Sequence, residues 1–309
     1  MPENRLTEEV LGRYTTEQRN EASINIDRGT SLEILTIINN EDKKVPLAVE
    51  KALPAAAAFV DEIVKAFRKG GRLVYTGAGT SGRLGVLDAS ECPPTYGVEP
   101  GMVQGLIAGG REALTSSIEG VEDSSETGAA DLQKIGFCGD DVLLGITASG
   151  QAPYVLGALE YAKNLGAVTG ALSCNGNSKT FDIADHRILV KVGPEVVTGS
   201  TRMKSGTAQK LVLNMLSTAS MIRLGKVYKN LMVDLKPANH KLVLRSLRII
   251  REAAGCSGEE AEKAFEAAGR KPKIAIVMLL MGVDKAKAEE LLKTAEGHIN
   301  RLPGLEAGE

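Results

Sequence analysis

The sequence is poor in aromatic residues: it contains no tryptophan, and aromatic residues make up 4% of its 309 positions. Proteins that bind single-stranded nucleic acids use aromatic side chains as stacking platforms for the bases, so this scarcity argues against such a function. The formal net charge of −2 provides no overall positive field for nucleic acid or for an anionic membrane. We therefore expect a small-molecule ligand, with no nucleic-acid partner and no membrane partner.

Long hydrophobic runs and clustered cysteines are also missing. The longest apolar stretches, such as residues 274–281, are far shorter than the ~20 residues that cross a bilayer. The first twenty residues carry charges of both signs and lack the basic start and apolar run of a secretory signal. The four cysteines, Cys92, Cys138, Cys174 and Cys256, have neither CxxC metal spacing nor the density of a disulfide scaffold. These absences predict a cytoplasmic protein.

What the sequence does contain is a regular alternation of short apolar runs and helix-like segments. The apolar runs, whose length and β-branched content are typical of buried strands, are residues 72–76, 102–108, 141–147, 167–173 and 187–192. Segments with helical character separate or follow most of them. Such alternation predicts an α/β fold in which helices cover both faces of a parallel sheet.

Other segments predict smaller parts around this sheet. We expect an N-terminal helical arm over residues 1–56, the main domain with the parallel sheet over 57–220, and connecting helices over 221–255. Residues 256–309 predict a small bundle of three short helices. A bundle of this size has only a marginal hydrophobic core.

The first predicted strand leads into a glycine-rich loop, residues 77–82, which fits the pattern GxGxxG. The dinucleotide-binding fingerprint also requires an acidic residue ~20 positions further on, at the end of the second strand. That strand ends instead in residues 107–110, IAGG. After Gly79, Thr80 and Ser81 place hydroxyl groups where a helix should begin, and a helix N-terminus offers free N–H groups and a partial positive charge. We therefore favour a phosphate cradle over a nicotinamide site.

Two further loops repeat this arrangement of hydroxyl groups before a helix. Their candidate ligand-binding residues are Thr147, Ser149, Gln151, Ser200 and Thr201. Any one of these hydroxyls alone is typical of ordinary helix capping. Three such loops at the carboxyl edge of a parallel sheet, where ligands of open α/β folds bind, favour a phosphate site.

These loops resemble the paired phosphate loops of the sugar isomerase (SIS) domain. Residues 193–210, GPEVVTGSTRMKSGTAQK, resemble the signature shared by the N-acetylmuramic acid 6-phosphate etherases and the glucokinase regulatory proteins. Residues 88–95, DASECPPT, and 119–123, EGVED, match two further etherase segments, as do residues 16–23 and 230–234. The resemblance covers nearly the whole chain.

The resemblance implies a fold, an assembly and a reaction. The fold is an SIS-type three-layer αβα sandwich with a five-stranded parallel sheet, followed by a C-terminal bundle similar in shape to ubiquitin-associated (UBA) modules. The implied assembly is a homodimer. The implied substrate is N-acetylmuramic acid 6-phosphate, converted to N-acetylglucosamine 6-phosphate and D-lactate in cell-wall amino sugar catabolism, with no metal and no redox cofactor.

The family's two catalytic glutamates map onto Glu91, in DASECPPT, and Glu122, in EGVED. In the open-chain sugar the carbon 1 aldehyde acidifies the hydrogen on carbon 2, and lactate can leave from carbon 3 by elimination before water adds. We interpret Glu122 as the base at carbon 2 and Glu91 as the group that protonates lactate and then activates water, with the reverse assignment left open. Glu119 and Asp123 remain alternatives to Glu122.

The position of Glu91 raises a geometric question. In a helix that runs unbroken from Gly82, Glu91 lies ~15 Å along the axis from the phosphate loop. An open-chain hexose phosphate is only about half that long. Either the helix bends near Gly85 or Glu91 serves the active site of a partner subunit, and we favour the second interpretation.

Two cations lie beside the third hydroxyl loop. Lys204 and Arg202 are candidates for contact with the phosphate or with the carboxylate of the substrate. A capping or surface role for either residue is an equal alternative.

Two other functions fit the same fold. An aldose–ketose isomerase also removes the carbon 2 proton, but the second glutamate, suited to a departing alkoxide, argues against it. A non-catalytic sensor like the glucokinase regulatory proteins carries two SIS domains, and 309 residues are too few for that.

Overall fold

The computed structural model describes residue 12 and residues 14–305, and the chain divides into two compact units. The first unit contains the residues up to Ser90 together with Gly101–Ser217. The second contains Glu91–Pro100 and the residues from Thr218 onward. The finer division expected from the sequence, with boundaries after residues 56, 220 and 255, stays a prediction.

A five-stranded parallel sheet forms the centre of the first unit, with strand order β2-β1-β3-β4-β5. The strands are β1 (Leu73–Gly77), β2 (Val103–Ile107), β3 (Val142–Ile146), β4 (Val168–Ser173) and β5 (His186–Leu189). Each overlaps one of the apolar runs, so the prediction of a parallel α/β fold is confirmed. Because all neighbouring strands are parallel, their carboxyl ends meet at one edge of the sheet.

Eight helices accompany this sheet in the described part of the chain. They are α1 (Ser31–Asp42), α2 (Lys44–Glu50), α3 (Leu53–Arg68), α4 (Gly79–Tyr96), α5 (Ser125–Lys134), α6 (Pro153–Asn164), α7 (Thr180–Ile183) and α8 (Lys204–Arg223). The last residues of α4 and α8 belong to the second unit. Within residues 14–305, no helix combines the length and the apolar character needed to cross a membrane.

Helix α6 shows how the sequence pattern builds the core. Its buried residues Tyr154, Val155, Ala158 and Leu159 recur at the spacing of one helix face. They pack in one cluster with Leu143 of β3 and other buried residues. This helix therefore covers one face of the sheet and fixes the loop that precedes it.

The apolar pattern of residues 47–69 predicts a single helix, but the structure has two helices there. Helix α2 ends at Glu50 and α3 begins at Leu53. Pro54 lies in the first turn of α3. Proline has no N–H to donate and its ring clashes with the carbonyl four residues earlier, which favours a new helix start over continuation of the preceding helix.

The second unit contains four helices and a two-stranded hairpin within its described residues. These are β6 (Val227–Tyr228), β7 (Leu231–Met232), α9 (His240–Ala254), α10 (Gly258–Ala267), α11 (Pro272–Met281) and α12 (Lys285–Thr294). The four helices share one core that includes Ile250, Phe265, Ile276 and Leu292. The three short helices expected after residue 256 are present as α10, α11 and α12.

Candidate active site

A cavity of about 780 Å3 lies in the first unit, and all three hydroxyl loops line it. Their lining residues are Ala78, Gly79, Thr80 and Ser81 after β1, Thr147, Ala148 and Ser149 after β3, and Gly199, Ser200, Thr201 and Arg202 before α8. Strands β1 and β3 are neighbours in the sheet, so the loops that follow them converge. The volume is within the range of small-molecule sites. The structure therefore brings together seven of the predicted ligand-binding residues.

The first loop forms a tight passage from β1 into α4. Gly79 has a φ of +53°, which suits glycine because it has no Cβ atom. A Cβ atom on Gly77 would lie 2.9 Å from the amide nitrogen of Gly82, so the strand and the helix start approach closely. The first N–H groups of α4 have no partner within the helix and are available to an anion in the cavity. The hydroxyl of Ser81 donates to Oε1 of Gln209 at 3.0 Å, which joins this loop to α8.

The second loop is held by its own side chains. The backbone N–H of Gly150 donates to the Thr147 hydroxyl at 3.2 Å. The N–H of Gln151 donates to the Ser149 hydroxyl at 3.3 Å. The side-chain amide of Gln151 donates to the carbonyl of Asn177 at 2.9 Å, and Gln151 is not among the residues that line the cavity. The ligand contact of Gln151 stays a prediction.

The third loop is anchored by the N-terminal arm. Three hydrogen bonds join them: Asn20 Nδ2 to the Pro194 carbonyl at 3.0 Å, the Ser23 hydroxyl to the Val196 carbonyl at 2.7 Å, and the Gly199 N–H to the Thr16 carbonyl at 3.2 Å. The same arm places Glu17 in the cavity wall. Glu17 is far from the three loops along the chain, so no local sequence pattern marks it as a residue of the site.

Lys204 does not reach the cavity wall. Its Nζ lies 2.6 Å from Oε2 of Glu41, and both side chains are buried. Burial alone would raise the pKa of Glu41, but hydrogen bonds from Lys204, Lys44 and Asn20 outweigh it and lower that pKa to about 2. The ammonium of Lys204 is therefore engaged inside the protein rather than presented to a ligand.

The first turn of α8 is capped by a buried carboxylate. Glu195, which is fully buried, accepts the backbone N–H groups of Lys204 at 2.9 Å and Ser205 at 2.8 Å. The hydroxyl of Ser205 donates to the same carboxylate at 2.8 Å. A carboxylate at this position also complements the positive end of the helix dipole.

The loop after β2 brings Glu122 to the cavity. Glu119 and Glu122 both line it, whereas Asp123 is exposed and does not. Gly120, with a φ of +75°, stands between the two glutamates. The geometry therefore favours Glu122 or Glu119 over Asp123, and the choice of base stays a prediction.

Arg83 ties this loop to α4. Its Nε donates to the carbonyl of Leu114 at 3.2 Å, and its Nη2 donates to that of Ser116 at 2.9 Å. Arg83 also lines the cavity, one turn beyond Gly79 on the same helix. Sequence analysis missed it, although its spacing from Gly79 on a predicted helix would have placed it there.

Glu91 lies away from the cavity that Glu122 lines. It is exposed, belongs to the second unit, and is not among the residues that line the cavity. Helix α4 runs without interruption from Gly79 through Tyr96. A Cβ atom on Gly85 would lie 3.0 Å from Cβ of Tyr75, and glycine there allows α4 to pack closely against β1.

These features define a class of protein, the SIS-type sugar-phosphate proteins. Residues 55–163 match the family model described as the glucokinase regulatory protein N-terminal SIS domain. A phosphoheptose isomerase from Francisella tularensis has the same fold, with a TM-score of 0.50 and 21% identity over 63% of this chain and 100% of that one.

Comparison with curated relatives identifies the family. The N-acetylmuramic acid 6-phosphate etherase of Glaesserella parasuis serovar 5 (strain SH0165) is 59% identical over 94% of this chain and 96% of its own length. The N-acetylmuramic acid 6-phosphate etherase 2 of Vibrio cholerae serotype O1 (strain ATCC 39315 / El Tor Inaba N16961) is 56% identical over 94% of this chain and 95% of its own length. The chain belongs to the N-acetylmuramic acid 6-phosphate etherase family.

Proposed function

We propose that this protein is an enzyme that cleaves the lactyl ether of N-acetylmuramic acid 6-phosphate and yields N-acetylglucosamine 6-phosphate and D-lactate. Membership of the etherase family supports this reaction. The observation that carries it is the presence of the Glu122 carboxylate in the same cavity as three hydroxyl-rich loops. That combination provides an anion cradle and a base for a sugar phosphate.

The phosphate is bound at the deep end of the cavity. Ser81 and Thr147 are buried, with exposures of 8% and 6%, and both line the cavity. The N-termini of α4 and α6 follow these two loops. Helix N-termini and hydroxyl groups together stabilise an anionic ester.

The chemistry is an elimination followed by an addition. Glu122 removes the proton from carbon 2 of the open-chain sugar, and the electron pair forms a carbon 2–carbon 3 double bond. The carbon 3–oxygen bond breaks, and a second acid protonates the ether oxygen, which becomes the hydroxyl of D-lactate. Water then adds its hydroxyl to carbon 3, and a proton returns to carbon 2. The steps require two acid/base groups at neighbouring carbons.

The second acid is Glu91 of another copy of the chain. Leu87 precedes Glu91 by one turn on the same side of α4 and is 53% exposed. Met215 of α8, a helix joined to α4 by the hydrogen bond from Asn214 to Asp88, is 40% exposed. Exposed apolar side chains on neighbouring helices favour an interface. We therefore propose a homodimer in which this surface pairs with its copy and Glu91 enters the partner's cavity.

The cellular setting follows from the reaction. We place the enzyme in the cytoplasm, in the recovery of cell-wall amino sugars. All four cysteines are free thiols, which suits a reducing compartment. For helices α10, α11 and α12, which share one core, we propose a UBA-like arrangement with a structural role.

Release of D-lactate tests the proposed function. Purified protein is incubated with N-acetylmuramic acid 6-phosphate, and D-lactate is measured with D-lactate dehydrogenase. An aldose–ketose isomerase would interconvert sugar phosphates without releasing lactate, and a non-catalytic sensor would bind without any turnover. Absence of D-lactate together with ketose formation would replace the etherase proposal by the isomerase.

A further inference from the structure

The substrate of the proposed function carries two anionic groups, and the hydroxyl loops account for only one of them. The phosphate is on carbon 6, whereas the lactyl carboxylate is attached through the oxygen on carbon 3. Discrimination between N-acetylmuramic acid 6-phosphate and its product depends on that carboxylate, since the product lacks it. A cation in the cavity wall is the group that would recognise it.

Two of the residues that line the cavity are cationic, Arg83 and Arg202. The guanidinium of Arg83 is already engaged, because two of its nitrogens donate to the carbonyls of Leu114 and Ser116. Lys204, the other cation near the third loop, is paired with the buried Glu41. Lys204 is therefore unavailable to a carboxylate, and Arg83 has already committed two of its five N–H donors to the protein.

Arg202 differs from both. It lines the cavity, its side chain is exposed, and it makes no hydrogen bond or ion pair with any residue in the range 14–305. It follows directly on Ser200 and Thr201, so the anchored third loop fixes where its backbone lies. A guanidinium group presents paired donors that match the two oxygens of a carboxylate.

The depth of the cavity separates the two anions. Ser81 and Thr147, at the start of the phosphate cradle, are buried, whereas Arg202 is exposed at the rim. A sugar anchored by its phosphate at the buried end extends its lactyl group toward the open end. We propose that Arg202 binds the lactyl carboxylate and is the residue that selects the lactyl ether over sugar phosphates without it. This proposal rests on the proposed function.

Direct binding measurements test the assignment. In a Glu122→Gln background, which prevents turnover, calorimetry gives the dissociation constants of N-acetylmuramic acid 6-phosphate and N-acetylglucosamine 6-phosphate. We expect Arg202→Gln to weaken binding of the first about 10- to 100-fold, the loss typical of a hydrogen bond to a charged group. The dissociation constant of N-acetylglucosamine 6-phosphate should change less than about twofold. For N-acetylmuramic acid 6-phosphate, the dissociation constant of Arg202→Lys should lie between those of the Arg202 protein and Arg202→Gln.

The control is Lys210→Ala, which removes an exposed cation from α8 that does not line the cavity. It should leave both constants unchanged. If Arg202→Gln weakens both ligands equally, Arg202 binds the phosphate and the proposal is overturned; if it weakens neither, Arg202 contacts no anion and the proposal is equally overturned. D-lactate release by the unmodified enzyme is measured separately, so failure of the reaction is distinguishable from failure of this assignment.

Discussion

The Nζ atom of Lys204 lies 2.6 Å from Oε2 of Glu41, and the two side chains are 1% and 4% exposed. This pair joins α1 to the first turn of α8, directly behind the third hydroxyl loop. Asn20, from the arm that anchors the same loop, donates to Oε2 of Glu41 at 2.9 Å. The pair therefore fixes one wall of the cavity from inside the protein.

Removal of the carboxylate should destabilise the fold strongly. Glu41→Gln leaves the ammonium of Lys204 buried without its counter-ion, which costs about 3–5 kcal/mol when a buried pair is broken. Urea unfolding measures the change in the free energy of unfolding. The matched control is Glu62→Gln, which breaks an exposed pair with Lys65 and should cost far less, because solvent screens that pair. Equal effects of the two substitutions would contradict the structural role of the buried pair.

The stabilisation from Glu41 should depend on pH in one direction. Its pKa is about 2 in the folded protein, below the ordinary value of 4.5, so the folded state favours the ionised form. The contribution is fully present above pH 4.5 and is lost as the pH falls toward 2. The difference in unfolding free energy between the unmodified protein and Glu41→Gln should therefore narrow over that range. If the difference in unfolding free energy grows as the pH falls, the pKa of Glu41 is not lowered in the folded protein.

Substitution of the proposed base should abolish the first chemical step. Glu122→Gln should lower the rate of D-lactate release by at least ~100-fold, the usual contribution of a general base. It should also suppress deuterium incorporation at carbon 2 in heavy water. Asp123→Asn, next in sequence but outside the cavity wall, is the matched control and should stay near the unmodified rate. Loss of activity in Glu119→Gln with retention in Glu122→Gln would transfer the role to Glu119.

A mixture of two inactive variants tests whether the site is shared. Glu91→Gln and Glu122→Gln homodimers should each be inactive. If the partner supplies Glu91, a mixed dimer has one site with both substitutions and one intact site. Random mixing of equal amounts should then restore about a quarter of the unmodified activity. No recovery, with mixed dimers demonstrated by tagged copies, would place both glutamates in one subunit.

Two glycines in helices should respond oppositely to alanine. A Cβ atom on Gly157 of α6 would lie 2.1 Å from the carbonyl oxygen of Ser125, so Gly157→Ala forces α5 and α6 apart. Overpacking of this kind costs about 1–3 kcal/mol of stability. Gly258, at the start of α10, has no heavy atom within 4 Å of such a Cβ atom, and Gly258→Ala should be neutral or stabilise by up to ~1 kcal/mol. Thermal unfolding followed by circular dichroism compares the two, and a stable Gly157→Ala would contradict the close packing.

Sequence alone determined the parallel sheet and the hydroxyl loops of this protein. Apolar runs and the residues that follow them are local features, and parallel strands bring the loops of β1 and β3 to one edge whatever the remaining contacts. Glu122 was predicted from the family resemblance and not from sheet geometry, and the structure has it in the loop after β2, at the cavity. Pro54 is a local sign that a helix begins near it. The apolar pattern continues on both sides of Pro54, however, and so predicts one helix instead of α2 and α3.

Tertiary structure decided which charged side chains face the cavity and which are neutralised inside the protein. Arg202 lies in the loop before α8 and Lys204 begins that helix two positions later, and nothing in their spacing distinguishes them. The distinction comes from Glu41, which is 163 positions from Lys204 along the chain and meets it only after folding. Burial of a cation requires a partner, and the identity of that partner is a long-range contact that no local pattern encodes.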